Sequence, residues 1–94
     1  MSEEELDQGK QWVVQTIKQY AQTMSVPIKG FEWGMGNDER PSLVYYVNGK
    51  RYIERFESEE LQDAPNHKSV RTNMEERIKK LVESFQPKSK KIGF

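Results

Sequence analysis

Cysteine is absent from this 94-residue sequence, and histidine occurs once, at His67. A chain without thiols has no disulfide bond, no cysteine-ligated zinc and no thiol nucleophile. Small secreted domains usually depend on disulfides, so we expect a cytoplasmic protein. The first residues are acidic, unlike the basic and then apolar start of a secretory signal peptide. No apolar run approaches the roughly 20 residues of a membrane-spanning helix, so we expect no membrane association.

Net charge is also absent, because 15 basic side chains balance 15 acidic ones. A neutral chain has no general electrostatic attraction to nucleic acid or to anionic lipid. The charges are nevertheless unevenly placed, since residues 66–94 carry eight basic and three acidic side chains. This pattern is typical of two solvated helices that carry opposite net charge. The alternative is a basic C-terminal surface that meets an acidic partner.

Apolar residues are scarce, at 34% of the chain against 32% charged residues. A chain of this length suits one domain with one modest hydrophobic core. The apolar residues recur periodically and 11% of all residues are aromatic, which indicates an ordered fold. We predict a single domain over residues 1–87 and a short, basic, flexible tail over residues 88–94.

Two segments have the apolar periodicity of amphipathic helices. The first is predicted to end near Met24, because Pro27 restricts the preceding residue to an extended conformation. The second is predicted to end at Pro87. The apolar stripe of the first helix consists of Leu6, Val13, Ile17, Tyr20 and Met24, and that of the second consists of Val70, Met74, Ile78, Leu81 and Phe85, with Val82 beside it.

Three strands are predicted between these helices. The segment Ile28–Met35 alternates, with Phe31 and Trp33 on one face and glycines on the other. Asn48-Gly49 separates two strand-like segments and predicts a two-residue hairpin, because a type I′ turn needs two residues with positive φ. The predicted fold class is α+β: helix, three-stranded antiparallel sheet, helix, with both helices packed on one face of the sheet.

The hairpin turn determines which side chains share a face of the sheet. Its register places Tyr45 opposite Tyr52 and Tyr46 opposite Arg51. The face with more apolar bulk is predicted to be the core side, and it carries Leu43, Tyr45, Val47, Tyr52 and Phe56. The opposite face carries Val44, Tyr46, Arg51, Ile53 and Arg55.

This opposite face is the candidate binding surface. Aromatic and arginine side chains are enriched in protein interfaces, and both types also stack on nucleobases. We therefore expect a small non-enzymatic interaction module that binds a protein partner, or a second copy of itself, through Tyr46, Arg51, Ile53 and Arg55. The alternative is that the arginine stems only cover an isolated apolar side chain.

The sequence has no recognisable catalytic or cofactor-binding motif. His67 lies in a polar segment without a neighbouring acid or nucleophile that would orient it. The acidic segment 57–63 lacks the alternation and central glycine of a calcium loop, and Gly34-Met35-Gly36 lacks the rest of a phosphate-binding loop. We expect no enzymatic activity, metal or cofactor. An enzyme with an unrecognised site is a further alternative.

The order of the predicted elements, with Tyr46-Val47-Asn48-Gly49-Lys50 at the central turn, resembles that of double-stranded-RNA-binding domains over roughly residues 6–85. The resemblance implies closely spaced lysines at the start of the last helix that grip phosphates. Here that region is His67-Lys68-Ser69-Val70-Arg71, which is only partly basic and is followed by Glu75-Glu76. Nucleic-acid binding is therefore the alternative function, and its candidate residues are Lys68, Arg71, Lys88, Lys90 and Lys91.

Overall fold

A computed structural model describes residues 3–35 and 40–86 of the chain. The elements are α1 (Glu3–Met24), β1 (Ile28–Met35), β2 (Pro41–Val47), β3 (Lys50–Arg55), α2 (Ser58–Asp63) and α3 (Lys68–Glu83). The strands form one antiparallel sheet in the order β1-β2-β3, and the helices pack against one side of it. The predicted α+β class is thus confirmed. The predicted tail, residues 88–94, lies outside the described residues.

The hairpin between β2 and β3 has the predicted turn and register. Asn48 and Gly49 have φ angles of 54° and 83°, as a type I′ turn requires. Tyr45 pairs with Tyr52, Tyr46 pairs with Arg51, and the remaining partners follow in step. The face predicted to be the core side is the one that packs against the helices, because Leu43, Tyr45, Val47 and Phe56 are all buried.

Side chains from every described element except β1 and β3 supply the fully buried core. Leu43 of β2 and Leu61 of α2 are completely inaccessible, and the rest of the cluster surrounds them. On α3 the most deeply buried residue is Val82, which was predicted to lie beside the apolar stripe of this helix. Leu81, a predicted member of that stripe, is only partly buried. None of the helices in residues 3–35 and 40–86 is long and apolar enough to cross a membrane.

A close approach between α1 and α2 depends on Gly9. A Cβ atom at this buried position would lie 1.7 Å from the carbonyl oxygen of Leu61. No other residue type fits this space without moving one helix. A glycine inside a helix is unfavourable by roughly 1 kcal/mol relative to alanine, and here it allows α2 to lie directly against α1.

β1 departs from the simple alternation that its sequence predicts. Its register with β2 shifts between Lys29 and Glu32, so that Gly30 and Phe31 together lie opposite a single residue. Gly30 has a φ of 75°, the conformation that glycine adopts readily at a bulge. The bulge keeps Ile28 and Trp33 on the core side of the strand, since they pair with Val47 and Leu43.

The regular part of α3 ends at Glu83, four residues before the predicted stop at Pro87. Beyond it, the N–H groups of Phe85 and Gln86 bond to carbonyls three residues back, so the last turn tightens. The Phe85 ring then lies edge-on against Tyr52, with 4.8 Å between the ring centroids. Phe85 thereby joins Tyr45 and Tyr52 in an aromatic cluster on the core side of the sheet.

Candidate interaction surface

The face of the sheet turned away from the helices is formed by alternate residues of three strands. We define the outer face as Lys29, Glu32, Val44, Tyr46, Arg51, Ile53 and Arg55. The strand register brings these residues into rows: Val44 lies between Glu32 and Ile53, and Tyr46 lies between Lys29 and Arg51. All four residues predicted to bind a partner, Tyr46, Arg51, Ile53 and Arg55, are therefore on one continuous surface.

Two large apolar side chains of the outer face are open to solvent. Tyr46 is 38% exposed and Ile53 is 47% exposed. They lie diagonally across neighbouring strands, two positions apart in the ladder, with the half-buried Val44 directly opposite Ile53. Within residues 3–35 and 40–86 the helices all pack on the other side of the sheet, so this apolar centre is not part of the core.

The ring of Tyr46 also has a structural contact. A Cβ atom built on Gly30 would lie 2.7 Å from Cδ1 of Tyr46, so the ring lies directly over this glycine of β1. An aromatic side chain placed across a strand glycine covers backbone that would otherwise be bare. One side of the Tyr46 ring is thus held by the sheet, and the other side faces outward.

Positive charge surrounds the apolar centre. Arg51 and Arg55 are exposed on β3, and Lys29 is exposed on the opposite edge strand. Glu32 is the acidic member of the outer face. Glu54, which lies between Ile53 and Arg55 on β3, points to the other side of the sheet. There it is bound by an arginine from α3. The outer face therefore has an excess of basic side chains.

That arginine is Arg77, which sequence reasoning did not single out. Its Nη2 lies 2.6 Å from Oε2 of Glu54, and the same nitrogen donates to the backbone carbonyl of Arg55. Its guanidinium carbon lies 4.6 Å from the centroid of the Phe56 ring, and Nη1 lies 3.5 Å from Oε1 of Glu60. Only the packing of α3 beside β3 brings these partners together, so no local sequence pattern could have indicated them.

The candidate nucleic-acid residues are less well gathered. Lys68 is exposed in the first turn of α3. Arg71 is half-buried, and its guanidinium donates to the carbonyl oxygen of Pro65 at 3.5 Å. Lys88, Lys90 and Lys91 lie outside the described residues. The described part of this set therefore comprises one exposed lysine and one arginine with an intramolecular contact.

His67 immediately precedes α3, and the structure places an acid, Asp63, beside it, which the sequence analysis did not expect. Its Nε2 lies 3.7 Å from the Asp63 carboxylate, and both side chains are largely exposed. At the start of α2, the Glu57 N–H donates to the Glu60 carboxylate, so part of the acidic segment serves as a helix cap. Within residues 3–35 and 40–86, no three histidine or acidic side chains cluster as metal ligands.

One titratable group on the core side has a displaced pKa. Burial, with smaller contributions from Glu54 and Tyr52, raises the pKa of Tyr45 from 10.0 to about 12. The phenol is therefore held in its neutral form at every physiological pH. Its ring contacts those of Tyr52 and Phe85, with centroid distances of 5.8 Å and 6.2 Å. This environment is that of a packed core residue.

Comparisons with protein families, with curated proteins and with solved structures gave no match to this chain.

Proposed function

We propose that the protein is a small non-enzymatic interaction module that binds a protein partner through its outer face. The observation that carries this proposal is the exposure of Tyr46 and Ile53, diagonal neighbours on the sheet face turned away from the helices of the described residues. Exposed apolar groups at the centre of a patch with a charged rim are a common arrangement in protein interfaces. Arg51 and Arg55 supply the second residue type that is enriched there.

The charge of the outer face indicates the chemistry of the partner. Lys29, Arg51 and Arg55 outnumber Glu32, so a partner surface with an apolar centre and acidic rim is complementary. In a symmetric dimer through this face, the two copies would bring their arginines together, with one glutamate in each copy to offset them. We therefore place a different protein first and self-association second.

A photo-crosslinking residue at position 53 tests the proposal in cells, since Ile53 is more exposed than Tyr46. The same residue at position 79, an exposed site on α3, is the matched control. We expect a crosslinked protein that is specific to position 53. Identical products from both positions, or no product from position 53, would contradict the proposal.

Purified components then test the charges. The variant Arg51→Glu with Arg55→Glu and the control Lys79→Glu with Lys80→Glu change the net charge equally, and all four residues are exposed. We expect the β3 variant to weaken partner binding by at least about tenfold and the α3 variant to leave it nearly unchanged. Self-association is tested by sedimentation over a range of concentrations. The wild type and the same two double variants are compared.

Nucleic-acid binding is the second candidate function. Apart from the additional short helix α2, the element order is the one on which the resemblance to double-stranded-RNA-binding domains rests. Replacement of Lys88, Lys90 and Lys91 with glutamine, alone or with Lys68→Gln, should then weaken binding and flatten its salt dependence. Fluorescence anisotropy with duplex RNA, single-stranded RNA and DNA measures this. Absence of binding at low salt would remove this candidate.

A further inference from the structure

An open groove of about 580 Å³ lies between α1 and β1, on the helix side of the sheet. Its floor includes the rings of Phe31 and Trp33, which are both half-buried, and its helical wall includes Val14. β1 is an edge strand of the sheet, with β2 as its neighbour. The groove therefore runs along a sheet edge, and it is separate from the outer face on the other side of the same strand.

Two lysines of α1 lie over the aromatic floor. The Nζ atom of Lys10 is 5.7 Å from the centroid of the Trp33 ring, and that of Lys18 is 5.6 Å from the centroid of Phe31. Both ammonium groups are thus held at the mouth of the groove by the rings beneath them. Asp7 is the acidic residue in the lining, so the two lysines leave the groove with a positive balance.

Trp33 forms a rigid base for the groove. Its ring packs against the fully buried Phe56 at a centroid distance of 5.7 Å, while Lys10 lies over it from the side of α1. The tryptophan is therefore fixed by the core and still contributes surface to the groove. A preformed apolar floor of this kind lowers the ordering cost of binding a ligand.

We propose that this groove binds an extended acidic peptide, which adds to the edge of β1 as a further strand. An edge strand offers backbone N–H and C=O groups to such a peptide, and the adjacent pockets select alternate side chains. The apolar floor suits a central aliphatic side chain, and Lys10 and Lys18 suit a carboxylate on either side of it. This proposal is independent of the function assigned to the outer face.

The spacing along α1 matches that of an extended chain. Lys10 and Lys18 are eight residues apart, which corresponds to about 12 Å along a helix. Residues four apart on a strand are separated by about 13 Å, and they lie on the same side of that strand. A peptide with glutamates four residues apart and leucine midway therefore places both carboxylates near the lysines and the leucine between them.

The test uses the full chain and the labelled peptide acetyl-Thr-Glu-Thr-Leu-Thr-Glu-Thr-amide. Amide chemical shifts locate the site, and anisotropy gives the affinity. We expect a Kd of about 0.1–1 mM, with the largest shifts in Ile28–Met35 and in the Trp33 indole. The variant Lys10→Gln with Lys18→Gln should bind about tenfold more weakly. The control Lys79→Gln with Lys80→Gln loses the same charge from exposed sites and should bind like the wild type.

Two altered peptides test the mode of binding. Replacement of both glutamates with glutamine should reduce the affinity as much as the double lysine variant does. Methylation of the peptide nitrogens that face β1 should abolish binding, because an added strand needs those N–H groups. Equal binding of the methylated peptide would overturn the proposal, as would the absence of any shift in β1 at about 5 mM peptide.

The outer face and the C-terminal segment are tested in the same experiment. The Arg51→Glu with Arg55→Glu variant should bind the peptide normally, so that failure of one proposed site is distinguishable from failure of the other. The full-length variant Ile92→Ser with Phe94→Ser should leave the Trp33 signals unchanged, because a basic segment does not suit the lysines of the groove. A shift of those signals would identify this segment as the occupant and overturn the proposal.

Discussion

The ring of Tyr46 lies across Gly30, with 2.7 Å between its Cδ1 atom and the position that a Cβ atom on that glycine would occupy. This contact joins the bulge of β1 to the centre of the outer face. Gly30 also has a φ of 75°, which is unfavourable for residues that carry a side chain. The shape of the proposed interface therefore depends on a glycine in the neighbouring strand.

Gly30→Ala should lower the free energy of unfolding by about 1–3 kcal/mol, because the added methyl group meets both the positive φ and the Tyr46 ring. Gly34→Ala is the matched control, since a Cβ atom at Gly34 meets no atom of residues 3–35 and 40–86 within 4 Å. Denaturant titrations of the two variants and the wild type measure the difference. Equal midpoints for both variants would show that the bulge does not have this geometry.

Gly9→Ala should destabilise the protein, although alanine is the better helix former. The new methyl group would overlap the Leu61 carbonyl, and relief of this overlap requires movement of α2 away from α1. Overpacking of this kind costs about 1–3 kcal/mol, which exceeds the roughly 1 kcal/mol gain in helix propensity. Gln8→Ala, at the exposed neighbouring position, is the control for denaturant unfolding. An increase in stability for Gly9→Ala would contradict the close helix contact.

Arg77 and Glu54 should show a measurable coupling in a double-mutant cycle with Arg77→Met and Glu54→Gln. Their side chains are 37% and 25% exposed, so we expect about 1 kcal/mol after allowance for solvent screening. The more exposed pair Arg40–Glu57, with 3.5 Å between charged atoms, provides the comparison and should couple more weakly. Similar coupling energies in both pairs would mean that the partly buried Arg77–Glu54 pair stabilises the fold no more than an exposed pair does.

Stability should fall in strongly alkaline solution because of Tyr45. Its pKa is about 12 in the folded protein and 10.0 in an exposed reference state, so between these values the unfolded chain releases the proton while the folded chain keeps it. The free energy of unfolding therefore decreases as pH rises, by up to about 2–3 kcal/mol. Denaturant titrations between about pH 9 and pH 12 should show a steeper decline for wild type than for Tyr45→Phe. Parallel curves would contradict this assignment.

The sequence was most informative where a single local signal constrains the geometry. Asn48-Gly49 determines the turn, and the turn determines that Tyr45 and Tyr46 lie on opposite faces. Helical periodicity likewise identified Ile17 and Ile78 as core residues. These predictions needed no knowledge of which elements pack together.

Features that depend on tertiary packing could not be obtained in this way. The glycine at position 9 has the same local sequence whether or not α2 lies against it, and Arg77 finds Glu54 only after α3 has packed beside β3. The groove could not be predicted from the sequence, because it depends on which side of α1 faces β1. The composition of the outer face was predictable from the hairpin, whereas the contact of Tyr46 with Gly30 depended on an unforeseen bulge.

The strands follow each other in the sheet in the same order as in the chain. Each pairing therefore closes only a short loop, and the entropic cost of bringing neighbouring strands together is low. The contact of Gly9 with Leu61, and the bond from the Gln86 side chain to the Met24 carbonyl, instead join distant parts of the sequence. We expect the sheet to acquire structure early on the folding pathway, and α1 to dock only when α2 and α3 are in place.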